Sequence, residues 1–97
     1  IPTDRYIDSR GRAYLSETYP SPVEGFAVIK YGVIENTNVT ISIFDILGNR
    51  VEVLVDKYHI AGEYTIEINP QNLSSGNYLY ILETPSMEII KKMTIIR

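Results

Sequence analysis

The sequence predicts an all-β domain, a single antiparallel β-sandwich of about seven strands, on three observations. Apolar residues recur with a period of two through most of the chain. Because successive strand side chains point to opposite faces, each such run buries one face and wets the other. The apolar positions are rich in β-branched and aromatic residues, including eight Tyr, which suit a pleated surface better than a helix. Turn residues punctuate the runs at intervals of about 8–12 residues, the spacing of a sandwich. No stretch keeps helical apolar spacing for three turns.

The elements follow in order. Residues from Ile1 to about Arg12 are polar and aperiodic; residues 1–14 are expected to be a linker or the end of a preceding domain, and 15–97 the sandwich. Pro20 and Pro22 break the first strand. Ile29, Tyr31 and Val33 alternate with Lys30 and Gly32; Val39, Ile41 and Ile43 alternate with Thr40 and Ser42. Asp45-Ile46-Leu47-Gly48-Asn49 is expected to be a tight hairpin, with Gly48 suited to positive φ. Val51, Val53 and Val55 follow on one parity, and Lys57-Tyr58-His59-Ile60 is expected to be a loop. Ala61-Gly62 opens the strand containing Tyr64, Ile66 and Ile68, which Asn69-Pro70 closes. Leu73-Ser74-Ser75-Gly76-Asn77-Tyr78 has the spacing of the tyrosine corner of immunoglobulin-like and fibronectin-like sandwiches, in which a Tyr hydroxyl bonds to upstream backbone. An ordinary Ser-Ser-Gly turn before a strand is the other reading. Tyr78 and Tyr80 share a face expected to point inward, and Leu79 and Ile81 give the opposite face an apolar character that marks either a contact surface or a better covered sheet, the latter being expected.

Composition narrows the function. Ninety-seven residues with 44% apolar and 22% charged content suffice for one modest core without metal or disulfide help. A net charge of −3 argues against nucleic acid, whose binders present a basic face. Without cysteine there is no disulfide, thiol nucleophile or zinc–thiolate site. No run of 18 apolar residues is present, so no membrane insertion by a spanning helix is expected. The opening Ile1-Pro2-Thr3-Asp4 lacks an initiator Met and a signal-peptide pattern, so a longer precursor with an upstream cargo domain is expected. His59 is the sole histidine and reads as a surface or loop residue. Glu63 and Glu67 occupy a solvent face, Asp45 and Asp56 border turns, and no carboxylate pair has glycosidase spacing. Neither a calcium loop, a phosphate-cradling glycine cluster nor a nucleophile elbow occurs. No enzyme activity and no cofactor are expected.

The segment Met87–Arg97 reads as a final strand with adjacent Lys91 and Lys92. Both parities contain Ile and Lys, so a bulge or an edge position near the lysines is expected. Two readings of Ile90, Lys91, Lys92, Met93, Thr94, Ile95, Ile96 and Arg97 stand together. The lysines protect an edge strand from aggregation, or this edge is what a receptor reads by strand addition.

At this point the sequence resembles a known family, the C-terminal sorting domain of the type IX secretion system (type A), related to the Ig-like domain of flagellar-hook capping proteins. The resemblance spans Leu15 to Arg97 with its pieces in family order. Tyr19-Pro20-Ser21-Pro22 resembles the Tyr-Pro-Asn-Pro entry, with Ser21 in place of Asn, and Val23 stands where Phe is common. Ile29-Lys30-Tyr31 resembles the strand that follows. Val39 to Gly48 resembles the central strand with its Asp-x-x-Gly hairpin at Asp45 and Gly48. Ala61-Gly62-Glu63-Tyr64 matches Ala-Gly-x-Tyr, and Leu73 to Tyr78, with Gly76, matches Leu-x-x-Gly-x-Tyr. Lys91-Lys92-Met93 followed by Ile95-Ile96-Arg97 resembles the terminal Lys-Lys-Met and apolar-apolar-basic ending; Ile81 departs from an often basic position.

The resemblance implies a secretion signal on a larger exported protein. Its partners are the type IX translocon, an outer-membrane shuttle protein and a sortase-like protease that removes the domain for surface anchoring or release. It implies a path through the periplasm to the outer-membrane surface or the medium. Residues 90–97 are expected to be recognised, Tyr19, Pro20, Asp45 and Gly48 to shape the fold, and the segment before Leu15 to admit the protease. The alternative is a non-catalytic Ig-like accessory or spacer module retained on an extracellular enzyme or adhesin.

Overall fold

The period-two runs form eight β-strands, with no helix among the described residues. A computed structural model describes residues 13–97; the expected linker up to Arg12 lies outside the described residues. The strands are β1 (Ala13–Leu15), β2 (Tyr19–Glu24), β3 (Phe26–Val33), β4 (Thr37–Asp45), β5 (Arg50–His59), β6 (Gly62–Ile68), β7 (Gly76–Thr84) and β8 (Met87–Ile95). The strand beyond the expected seven is β1, whose three residues are too few to show a period. Ala13 and Leu15 are nonetheless buried, and the strand pairs with β3.

Two antiparallel sheets pack as a sandwich. In one, β3 is flanked by β6 from Ala27 to Val33 and by β1 and β2 in succession on its other side. In the other, the order is β5-β4-β7-β8. The break at Pro20 and Pro22 takes the form of a crossing strand. β2 pairs with β3 only at Tyr19↔Val28 and Glu24↔Phe26, then meets β8 in parallel at Val23↔Ile95. Proline has no N–H to give a ladder, so this strand cannot pair regularly with either sheet. Instead it joins them.

The inward parities interdigitate as the alternation predicts. Leu15, Val23, Ile29, Ile41, Ile43, Ile68, Tyr80 and Leu82 are buried between the sheets. On the first sheet Tyr14 lies opposite Gly32, and its ring covers the glycine where a Cβ would collide with it. At the β4–β5 turn the Asp45 carboxylate organises the hairpin. Its Oδ1 accepts the Leu47 and Asn49 N–H groups, each at 2.9 Å, and its Oδ2 accepts from Asn49 Nδ2 at 3.2 Å. The Gly48 backbone, at φ 92°, closes the turn. The tyrosine-corner reading holds over the ordinary turn: Tyr78 Oη donates to the Ser74 carbonyl at 2.7 Å.

Three expectations are corrected. Val51 and Val53 are exposed because the β4–β5 register shifts between Ile41 and Ser42 and again between Ile43 and Phe44. Each extra residue resets the parity, and of the three valines only Val55 stays inside. His59 is no loop histidine; it ends β5 and is buried. Its Nδ1 donates to the Lys57 carbonyl (3.0 Å), since a carbonyl can only accept, which leaves Nε2 to accept from the Tyr31 hydroxyl (2.8 Å). Tyr64 packs edge-on against the imidazole at a centroid distance of 4.6 Å. Burial, with Tyr64 adding to it, raises the Tyr31 phenol above its ordinary value. Finally, the Leu79 and Ile81 face of β7 is covered only in part: the two side chains are half-buried, and beside them Ile90 remains 51% exposed and Val53 45%.

Candidate functional site

The segment singled out by its charge, Ile90 to Arg97, is the end of β8 and the two residues beyond it. β8 pairs with β7 without interruption, from Thr84↔Met87 to Gly76↔Ile95. No bulge forms, and the alternation that the sequence obscures is regular. Met93 and Ile95 are buried, Lys91 is largely covered, and Ile90, Lys92 and Thr94 face solvent. The edge expectation is met. On the side away from β7, the strand register among the described residues contains only Val23↔Ile95, which the Ile96 N–H reinforces by donating to the Val23 carbonyl at 2.9 Å.

The three basic groups do not form one cluster. Lys91 is on the inner parity at the rim of the core, where its ammonium lies 3.4 Å from the Glu17 carboxylate. An inward-pointing charge on an edge strand opposes open-ended sheet growth. Lys92 points out on the opposite face. Past the strand, Arg97 turns back: its N–H donates to Ser75 Oγ at 2.8 Å, and its guanidinium donates to the Pro70 carbonyl. Arg97 and Ile96 thereby form one wall of an open cleft whose other walls include Gly25, Phe26 and Asn69.

Elements distant in sequence hold this edge in place. Tyr80 lies beside Lys91 across the ladder, and its hydroxyl donates to the Ser16 carbonyl at 2.6 Å. That bond ties β7 to the β1–β2 connection next to Glu17. Burial, and the nearby Glu17 charge, push the Tyr80 phenol well above its ordinary range, so it is a fixed donor. Outside the sandwich, Thr94 Oγ1 donates to Asn77 Oδ1 at 2.9 Å across β7 and β8. Nothing in the sequence marked Ser16, Glu17, Pro70 and Ser75 as partners of this edge. Each lies more than 20 residues from the group it holds; Pro70 reads only as closing a strand and Ser75 only as part of the corner before β7.

The remaining motif residues are scattered over the fold. Tyr19, Pro20 and Pro22 are exposed at the start of the crossing strand. Asp45 and Gly48 occupy the hairpin, where the Asn49 N–H above all holds the Asp45 carboxyl below the usual range. Gly62 and Tyr64 begin β6. Leu73 packs on the core, and Gly76 begins β7 two residues before Tyr78. These residues build turns and corners and share no cleft. Among the described residues no group of three or more His, Asp or Glu side chains is placed to hold a metal ion. What the geometry offers is an edge. A strand with one open side, a flexible cation on its outer face and a core-anchored inner face can accept another strand by backbone pairing.

Residues 17–96 match the model of a family described as the secretion system C-terminal sorting domain. No curated protein matches the chain.

Proposed function

Because the chain belongs to the secretion system C-terminal sorting domain family, we propose that its cargo is recognised at the outer membrane through the open edge of β8. A member of this family is a sorting signal for type IX secretion, and the protein that bears it is exported by that system. The finer steps are our reading. The sandwich folds in the periplasm, and the translocon and then a shuttle protein pair with β8 and read Lys92 beside it. A sortase-like protease cuts the polypeptide ahead of the sandwich, leaving the cargo anchored at the surface or released. The domain is the substrate of that enzyme and has no catalytic role of its own.

The observation that supports this reading most is the division of labour along β8. Met93 and Ile95 are buried while Ile90, Lys92 and Thr94 face solvent. The strand is therefore held by its own fold and still presents one side. The same division decides how to test it. Deleting residues 91–97 removes two core side chains and confounds recognition with folding. Substituting Lys92→Glu in a precursor leaves the core and the hydrogen bonds that hold the edge intact. Surface display of that precursor is expected to fall sharply, with the cargo accumulating in the periplasm and the urea midpoint of the isolated chain close to wild type. Normal display with intact stability would overturn the role given to this edge.

A further inference from the structure

The outer face of the β5-β4-β7-β8 sheet has an ordered charge pattern, of which the sorting role proposed above uses only Lys92. Register partners define rows of side chains across the four strands. One row is Glu88, Glu83, Thr40 and Asp56; the next is Ile90, Ile81, Ser42 and Val53; the third is Lys92, Leu79, Phe44 and Arg50. The first is acidic, with Thr40 Oγ1 donating to Asp56 at 3.3 Å. The middle row is apolar apart from Ser42, which is fully buried between its neighbours. The third is apolar at its centre with a cation at each end. Glu88, Asp56, Lys92 and Arg50 are all exposed, as are Ile90 and Val53.

We propose that this face is an interface for a second copy of the chain, packed sheet on sheet about a twofold axis along the Ile90–Ile81–Ser42–Val53 row. Such an axis inverts the strand direction and keeps the order across the sheet. Each acidic row therefore falls on the basic-ended row of the other copy. Glu88 meets Lys92 at one end and Asp56 meets Arg50 at the other. Glu83 faces Leu79, with Lys92 within reach on the adjacent strand. The apolar rows meet each other on the axis, as a self-complementary interface requires, in the aligned packing that twisted sheets adopt. An in-plane axis parallel to the strands would instead set acid on acid and cation on cation, so charge selects one arrangement. From strand spacings of about 4.8 Å and rows about 7 Å apart, the face covers roughly 400 Å² per copy. That is below the ~1,200 Å² total of stable complexes, so the dimer is transient. Dimerisation covers Lys92 and leaves the open side of β8 accessible.

The test is sedimentation equilibrium of the full chain and two charge variants, Glu88→Lys/Asp56→Arg and Lys92→Glu/Arg50→Asp. Wild type is expected to show a concentration-dependent monomer–dimer equilibrium. Each variant alone is expected to associate at least about tenfold more weakly, because the outer ends of both its charged rows then carry one sign. Their equimolar mixture is expected to regain a dimer at least about tenfold tighter than either alone. A wild-type chain that stays monomeric at millimolar concentration overturns the proposal, even if the face binds some other protein. Variants that dimerise alone as wild type does, or folded variants that fail to pair with each other, overturn it too. Where circular dichroism shows that a double variant has not folded, Ile90→Ser decides: about tenfold weaker dimerisation supports the interface, and an unchanged constant overturns it.

Discussion

Replacing Tyr80 by Phe removes one oxygen from a ring that is otherwise fully enclosed, which makes it a clean probe of how the edge strand is anchored. The hydroxyl donates to the Ser16 carbonyl at 2.6 Å, joining groups 64 residues apart. A typical intramolecular hydrogen bond contributes a net ~1 kcal/mol, and a partly buried acceptor left unpaired raises the loss, so about 1–2 kcal/mol is expected. The apolar contacts of the ring are retained, so no cavity term is added. For a domain of this size the loss corresponds to a fall in Tm of about 4–16 °C. Urea unfolding followed by far-UV circular dichroism measures it, with an unchanged slope confirming that only stability has moved. Tyr58→Phe is the control, since Tyr58 is exposed, and should be neutral within about 0.5 kcal/mol. A loss below about 0.3 kcal/mol for Tyr80→Phe, or an equal loss in the control, would refute the claim that this bond fastens the β1–β2 connection to the sheet.

Two further outcomes are expected. Asp45 has a carboxyl pKa below its unfolded value, so the stability it contributes is present above about pH 4 and lost as pH falls through the lower folded value. Asp45→Asn should therefore reduce stability at neutral pH, and its deficit relative to wild type should shrink in acid; a pH-independent difference by thermal melts contradicts this. Gly32→Ala should lower the Tm because the new Cβ meets the Tyr14 ring. Adding Tyr14→Ala should cancel part of that penalty, and strictly additive losses in the double variant would contradict the contact.

Much of this fold was legible because burial imposes alternation. Val39, Ile41 and Ile43, or Tyr64, Ile66 and Ile68, could face a core only as strands, and Asp45 and Gly48 could only close a hairpin. What escaped was what local patterns do not encode. The two register shifts in β5 reversed the faces of Val51 and Val53, and a bulge is set by the partner strand as much as by its own sequence. His59 was misplaced because its partner Tyr31 lies 28 residues away, beyond any motif. In β8 the doubled Ile and Lys masked an alternation that the ladder with β7 makes plain. One of the two lysines faces the rim of the core because Glu17 meets it there, which no composition argument reveals. The site was thus legible as a segment, and its sidedness only from the fold.

Hydrogen–deuterium exchange of the chain with and without detergent-solubilised type IX translocon tests the central claim most directly. Strand addition would slow exchange in the peptides covering Met87–Arg97 while leaving the Asp45–Asn49 hairpin unchanged. Protection confined to the hairpin or to β6, with β8 exchanging as in the free chain, would contradict recognition through the β8 edge.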